Sequence, residues 1–484
     1  MKWDRFPLAS CIKLVLLSLA TVSPKSLLAW DYQLPPPEIT LQGSVHPANV
    51  ESWQRWLDVG YIGYQDAGSL TVTSGSINVG QLYVGYEGQG TLIVEWNASA
   101  HISNAVVGLW GDGLVAVHGG WYSASLNCSF GSFWVSGSGW ATTHSLFGRD
   151  LHIGGFLSSF DTQLLNGTVY LTGHWDVGNA SFFGSSWIML YGEMRATSIA
   201  VEPWPDWQDE PSLTVWGWGK IETNRFELAE ASTLWLEVWD QPVLIVEDVW
   251  MDGEMIPGVF ENEGHVILQA GDELAPGVYT PIVATSWEGE GTFEAIGGVW
   301  DATRHVFAVG HAANENISVN WAESRQVPIY DVNTGSYVVV EFTGGGSGSG
   351  QLRGESASGD VLQALQSVAG APVAAAWLFD VTNYPTGSTA WLSFFVGPGY
   401  SHDLFRYWHW DGTRWDPFNP EESSYDGGYV RFKIPGFSGY GVSILPEPNA
   451  LGILGSLAIG LAGYWWVRSR RRPNTAAAPS DHAG

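Results

Sequence analysis

The chain has 484 residues, with 49 Asp and Glu against 20 Lys and Arg, a net charge of −29. Such a surface repels the phosphates of nucleic acid and of anionic lipid, so neither nucleic acid nor an anionic bilayer surface is expected as a partner. Abundant glycine (60) and tryptophan (28) with only 14% charged residues predict an all-β protein, long enough for two or three cores.

At the N-terminus, Lys2, Arg5 and Lys13 flank the apolar stretch Leu14–Ala20. Residues 1–29 therefore read as a signal peptide, with small residues offering cleavage after Ala20 or Ala29. Leu8-Ala9-Ser10-Cys11 mimics a lipoprotein box, but the hydrophobic stretch follows Cys11 instead of preceding it. With the signal removed, Cys128 is the one cysteine left. No internal disulfide can form, and a thiol among Trp and Val reads as a small buried apolar group. Residues 30–66 are expected to be a leader or cap.

A repeat then sets the architecture for residues 67–210. Ser69-Leu70-Thr71-Val72 returns as Gly90-Thr91-Leu92-Ile93-Val94 and as Gly113-Leu114-Val115-Ala116-Val117. Further copies follow at Ser132–Val135, Leu151–Gly155, Gly167–Leu171 and Ile188–Gly192, about 16 to 23 residues apart. Each is a short alternating strand closed by Gly, Asn or Asp, often with a second strand after it. One unit cannot bury its own apolar side, whereas stacked units can, so a parallel β-solenoid is predicted. The pattern resembles the glycine-rich passenger-type repeats of autotransporters. Pro203, Pro205 and Pro211 interrupt it, and coils are expected to resume at Leu213–Trp216 and Leu234–Val238. This second solenoid part, 211–343, ends with Ser336–Phe342 as a capping strand.

Gly344–Gly350 is a Gly/Ser linker by composition. After it, Val373–Asp380, Ala390–Val396, Asp403–Trp410, Tyr429–Ile434 and Tyr440–Ile444 alternate as strands, with turns at Asp411-Gly412 and Asp426-Gly427-Gly428. They predict a small antiparallel β-sandwich over 351–445.

The C-terminus is the most specific segment. Pro446-Glu447-Pro448 precedes an uncharged apolar run, Ala450–Val467, and then Arg468, Arg470, Arg471 and Arg472. As a helix the run would be about 27 Å long, enough to cross a bilayer core as a single transmembrane segment. Tyr464, Trp465 and Trp466 would lie at the headgroup layer, and the arginines on the cytoplasmic side. This order, over 446–472, resembles the PEP-CTERM sorting signal of Gram-negative, biofilm-forming bacteria. The resemblance implies recognition and processing by exosortase. It further implies export through the inner membrane, transient single-pass anchoring, and release to the cell surface or extracellular matrix. Residues 473–484 are expected to be a disordered tail.

Chemistry is sparser. Glu247, Asp248, Asp252 and Glu254, with Asp240 nearby, could form the carboxylate pair of a polysaccharide lyase or hydrolase, but basic partners are few. A solvated acidic edge is the ordinary reading. His144, His152 and His174 recur near turns without a cysteine or a clear carboxylate set, so neither metal nor cofactor is expected. Aromatic rows are the stronger lead. Trp216 and Trp218 alternate onto one face, and Trp415 crowds a hairpin with Trp408 and Trp410, where exposed rings could stack on sugars and buried ones would fill a core. The expectation is a non-enzymatic surface or matrix protein. A glycan-binding adhesin of the exopolysaccharide matrix is the alternative, and a polysaccharide-degrading enzyme the third reading.

Overall fold

The computed structural model describes residues 37–203, 210–251, 254–344, 346–386 and 388–445. The chain divides into two compact units, one ending at Thr197 and the other starting at Ser198. Both are mostly strand, with parallel ladders and antiparallel sheets. Two α-helices occur among the described residues, Val50–Trp53 and Gly359–Ala369. No helix among them is long and apolar enough to cross a membrane. The segments expected to be signal peptide, sorting motif, membrane helix and arginine cluster lie outside the described residues.

The first unit opens on a cap. Strand Glu38–Gly43 runs antiparallel to the first half of Gly68–Val84, setting Leu41 against Leu70. The single-turn helix Val50–Trp53 is capped by Asn49, whose side chain accepts the Ser52 N–H at 2.9 Å. It buries Trp53, whose indole N–H donates to Pro47 O at 2.9 Å. Strand Trp56–Ile62 then lies parallel to the second half of Gly68–Val84.

From Gly68 onward the repeated phrases pair with one another in sequence order, in parallel. One inward column runs Leu70, Leu92, Val115, Phe133, Leu151, Val169, Ile188. Two residues further along each strand, a second runs Val72, Val94, Val117, Val135, Ile153, Leu171, Leu190. Every member is buried. Each such side chain contributes about 1.5–3 kcal/mol, so the columns are the main stabilising feature of the stack. On the following strands, Trp121 stands between Ala100 and Ala141, a large ring beside two small neighbours. Hydroxyls satisfy these buried indoles: Trp121 donates to the half-buried Ser123 Oγ at 3.0 Å and Trp175 to the buried Ser159 Oγ at 3.2 Å. Cys128 is buried beside Gly148, as expected of a small apolar group.

The second unit begins with similar parallel ladders. Leu213, Leu234, Val266 and Phe293 form one column, and Val215, Leu236, Leu268 and Ala295 the next. Phe226, Phe260 and Trp287 make an aromatic row, with centroids 5.5 and 5.0 Å apart. A three-stranded antiparallel sheet follows: Val278–Tyr279, Val306–Val309 and Gly298–Asp301.

The sandwich is larger than its expected boundaries. One six-stranded sheet runs His311–Ala312, Ser324–Asp331, Ser336–Thr343, Ala390–Phe395, Tyr429–Ile434, Ser423–Asp426. The other runs Ile317–Asn320, Ser349–Ser356, Val373–Val381, Gly439–Ile444, Phe405–Trp410, Trp415–Phe418. All adjacent pairs are antiparallel except the first. Trp377, Phe394, Phe432 and Tyr440 dominate the core. The strand expected to cap the repeats, Ser336–Thr343, is thus a central sandwich strand. The Gly/Ser run is no boundary either. Gly350 pairs with Val319, and a Cβ there would fall on the Thr382 carbonyl, so glycine serves close strand approach rather than flexibility. Helix Gly359–Ala369 seats Leu365 over Gly441, where a Cβ would come within 2.7 Å of the Leu365 side chain.

Candidate functional site

Alternation along the first-unit strands sends every second residue outward. Between the two inward columns, the outward row runs Ala116, Trp134, His152, Tyr170. Trp134 lies against His152 at 4.4 Å with planes tilted by 37°, and His152 stacks on Tyr170 at 4.6 Å with planes 12° apart. Across the next corner, Gly120, Trp140, Phe156 and His174 form a second row, with Phe156 and His174 stacked at 5.6 Å. These spacings follow from the distance of about 4.8 Å between neighbouring strands.

Between the two rows lies a floor of turn glycines. In three successive rungs one carbonyl accepts two consecutive N–H groups. Val135 O takes those of Gly154 and Gly155, Ile153 O those of Thr172 and Gly173, and Leu171 O those of Tyr191 and Gly192, all at 2.7–3.1 Å. A Cβ on Gly155, Gly173 or Gly192 would collide with the carbonyl of the rung before it. Only glycine lets these corners stack at strand spacing. Two hollows open over this floor and share Gly154 and Thr172. One, of about 240 Å³, lies against Trp134 and Tyr170, and the other, of about 540 Å³, against Trp140 and Phe156.

The polar groups at the rims are imidazoles and carboxylates. His118 Nδ1 lies 2.9 Å from Ser136 Oγ. His152 Nε2 is 3.3 Å from Asp150, which also accepts the Ser132 hydroxyl at 2.6 Å. His174 lies between Asp176 at 2.7 Å and Glu193 at 3.2 Å, and Glu193 also takes Arg195 at 2.9 Å. Trp134 and Tyr170 remain 46% and 42% exposed. Only His152 has rings on both sides; at the far end of the row Tyr170 faces the long Met189 side chain instead. Trp134 differs. Its neighbour on the other side is Ala116, whose methyl leaves that indole face without a ring partner. Chemically the arrangement suits a flat, partly apolar ligand edged with hydrogen-bonding groups.

The residues singled out in the sequence are dispersed. Trp415 is 4% exposed, under helix Gly359–Ala369, and its N–H donates to Val361 O at 2.8 Å. It is a core ring and offers no stacking face. Trp408 is buried in the same cluster, donating to Ser443 Oγ at 2.9 Å. Trp216 and Trp218 are exposed, but the strand ends at Trp216 and Gly217 takes φ 119°, so the pair leaves the strand alternation. Trp218 packs edge-on to Trp239 at 6.2 Å. Glu237 holds this turn, accepting the Gly217 N–H and the Trp239 indole N–H, each at 3.0 Å. Asp248 is engaged by the Gly258 N–H at 2.9 Å, and Asp252 lies outside the described residues. His152 and His174 stand on opposite sides of the glycine floor, while His144 stacks on Phe160 at 5.1 Å. Among the described residues, no group of three or more His, Cys, Asp or Glu is placed to hold a metal ion. The motif Pro446-Glu447-Pro448 and Arg468, Arg470, Arg471 and Arg472 lie outside them.

The Trp134, Tyr170, Trp140 and Phe156 walls were not anticipated. Aligning the copies on their inward Val or Leu pairs would have exposed them, because Trp134, His152 and Tyr170 occupy the same place in consecutive copies. No protein-family model, curated protein or solved structure matches this chain.

Proposed function

We propose that the chain is an exported, non-enzymatic protein of the cell surface or extracellular matrix. In this reading its stacked parallel strands form a β-solenoid that serves as spacer or scaffold, and the sandwich joins it to the sorting tail. The tail Pro446–Arg472 would hold the protein transiently in the inner membrane as a single helix until exosortase processes it. The observation that carries this reading is the in-register continuity of the inward columns from Leu70 to Ile188. Each rung covers the apolar face of the next, so length is added without a new core, which suits a spacer. Mass spectrometry of surface material from the host should recover C-terminal peptides ending near Pro446. Intact Arg472 outside the inner membrane would refute the sorting step. Release of new reducing ends from matrix polysaccharide by the purified protein would refute the non-enzymatic reading.

A second reading, a glycan-binding adhesin, is favoured by one specific observation: two outward aromatic rows flank a glycine-floored corner in the first unit. Co-sedimentation with the host's exopolysaccharide tests it, and absence of retention would leave the spacer alone.

A further inference from the structure

We infer that the open face of Trp134 is the binding subsite for an uncharged pyranose unit of a polysaccharide chain. The inference rests on the adhesin reading and deepens it. In the outward row only Ala116 stands on that side of the indole, so the ring face is not spent on another ring. On that side His118 and Ser136 also line the hollow and supply donors and acceptors, while His152 and Tyr170 lie beyond the other face of the indole. A pyranose has the matching chemistry, a face of C–H groups encircled by hydroxyls. The hollow holds about 240 Å³, below the range of drug-sized sites and suited to one sugar ring. Its neighbour, sharing Gly154 and Thr172, continues over the glycine floor, so the rest of a chain has a path. Charge selects the class. Glu193 lines the neighbouring hollow, Asp150 and Asp176 pair with the His152 and His174 that line the two, and the chain carries a net charge of −29. Uronate or sulfated polymers are therefore repelled and uncharged ones are not.

The test is calorimetric titration of the full chain in detergent. The probes are neutral gluco-, manno-, galacto- and N-acetylglucosamine hexasaccharides, with an alginate oligomer as the acidic probe. At least one neutral probe should bind and alginate should not. Trp134→Ala should weaken binding about three- to tenfold, the range of a single aromatic contact. Ala116→Trp covers the indole face while keeping every inward residue. It should weaken binding at least as much with an unchanged far-ultraviolet spectrum, and so decides the question even if Trp134→Ala disturbs the strand. Trp110→Ala, at a ring 77% exposed elsewhere in the unit, should bind as wild type. Neutral binding that survives both site variants would overturn the subsite and leave the adhesin reading standing. Preferential alginate binding would overturn the uncharged class, and no binding by any probe would overturn both inference and adhesin reading.

Discussion

Replacing Gly173 by alanine should destabilise the first unit by about 3 kcal/mol, whereas the same change at Gly137, in the same set of corners, should be neutral or slightly stabilising. Neither glycine has the left-handed backbone that would itself penalise alanine. A Gly→Ala change at a compatible backbone normally stabilises by about 0.4–1 kcal/mol, by restricting the unfolded chain. At Gly137 nothing opposes that gain, since the nearest atom to a new Cβ is Gly154 O at 3.8 Å. At Gly173 the Cβ would lie 2.1 Å from Gly155 O and 2.6 Å from both C and O of Gly154, all backbone atoms that cannot rotate away. Ordinary carbon contacts need about 3.5–4.0 Å, so the corner must open by more than 1 Å. Opening it costs about 1–3 kcal/mol as overpacking. The Gly155 carbonyl also accepts the His174 N–H at 2.8 Å, and parting that pair adds about 1–3 kcal/mol. Guanidinium unfolding of both variants, followed by circular dichroism, separates the cases. Equal midpoints, or a Gly173→Ala protein as stable as wild type, would show that backbone contact does not set the rung spacing.

Trp415→Ala should cost about 3–5 kcal/mol because its ring is buried beneath helix Gly359–Ala369. Trp218→Ala, at a ring 63% exposed, should cost far less, and equal thermal shifts would contradict these placements. Cys128 should resist thiol reagents in the folded protein and react on unfolding, since burial, with the Asp150 charge adding, pushes its thiol pKa up; fast native labelling would refute the burial. Asp301 is a buried carboxyl whose desolvation raises its pKa. Hydrogen bonds from Tyr330 and Arg304 and from the N–H groups of Arg304 and Thr303 outweigh that and hold it below its ordinary value. A lowered folded pKa means that its stabilisation is complete above the ordinary carboxylate value of about 3.9 and is lost as pH falls through the folded value. Asp301→Asn should therefore cost about 1–3 kcal/mol near neutral pH and flatten the acid limb of the stability curve, so parallel curves would refute the assignment.

The repeat was legible because its signal is local. Leu-x-Val and its variants carry period-two alternation inside each copy, and the phrases beginning at Leu70, Leu92 and Val115 do stand beside one another. The five strands read between Val373 and Ile444 also form. Composition misled at Gly344–Gly350, where flexibility and close strand approach call for the same residue. Helix Gly359–Ala369 was missed although its signals are present, with Val361, Leu362 and Leu365 at helical spacing and Gly370 in the left-handed conformation at its end.

What the sequence determined by itself was which side of each strand faces inward, since alternation and β-branched residues decide that locally. Which residues of different copies meet was decided by the tertiary structure. Trp134, His152 and Tyr170 hold the same place in their copies, but their rings meet only because the glycine corners pack those copies at strand spacing. Trp415 shows the same limit: alternation places a ring on one side of its strand, and only the helix laid over that side makes it core.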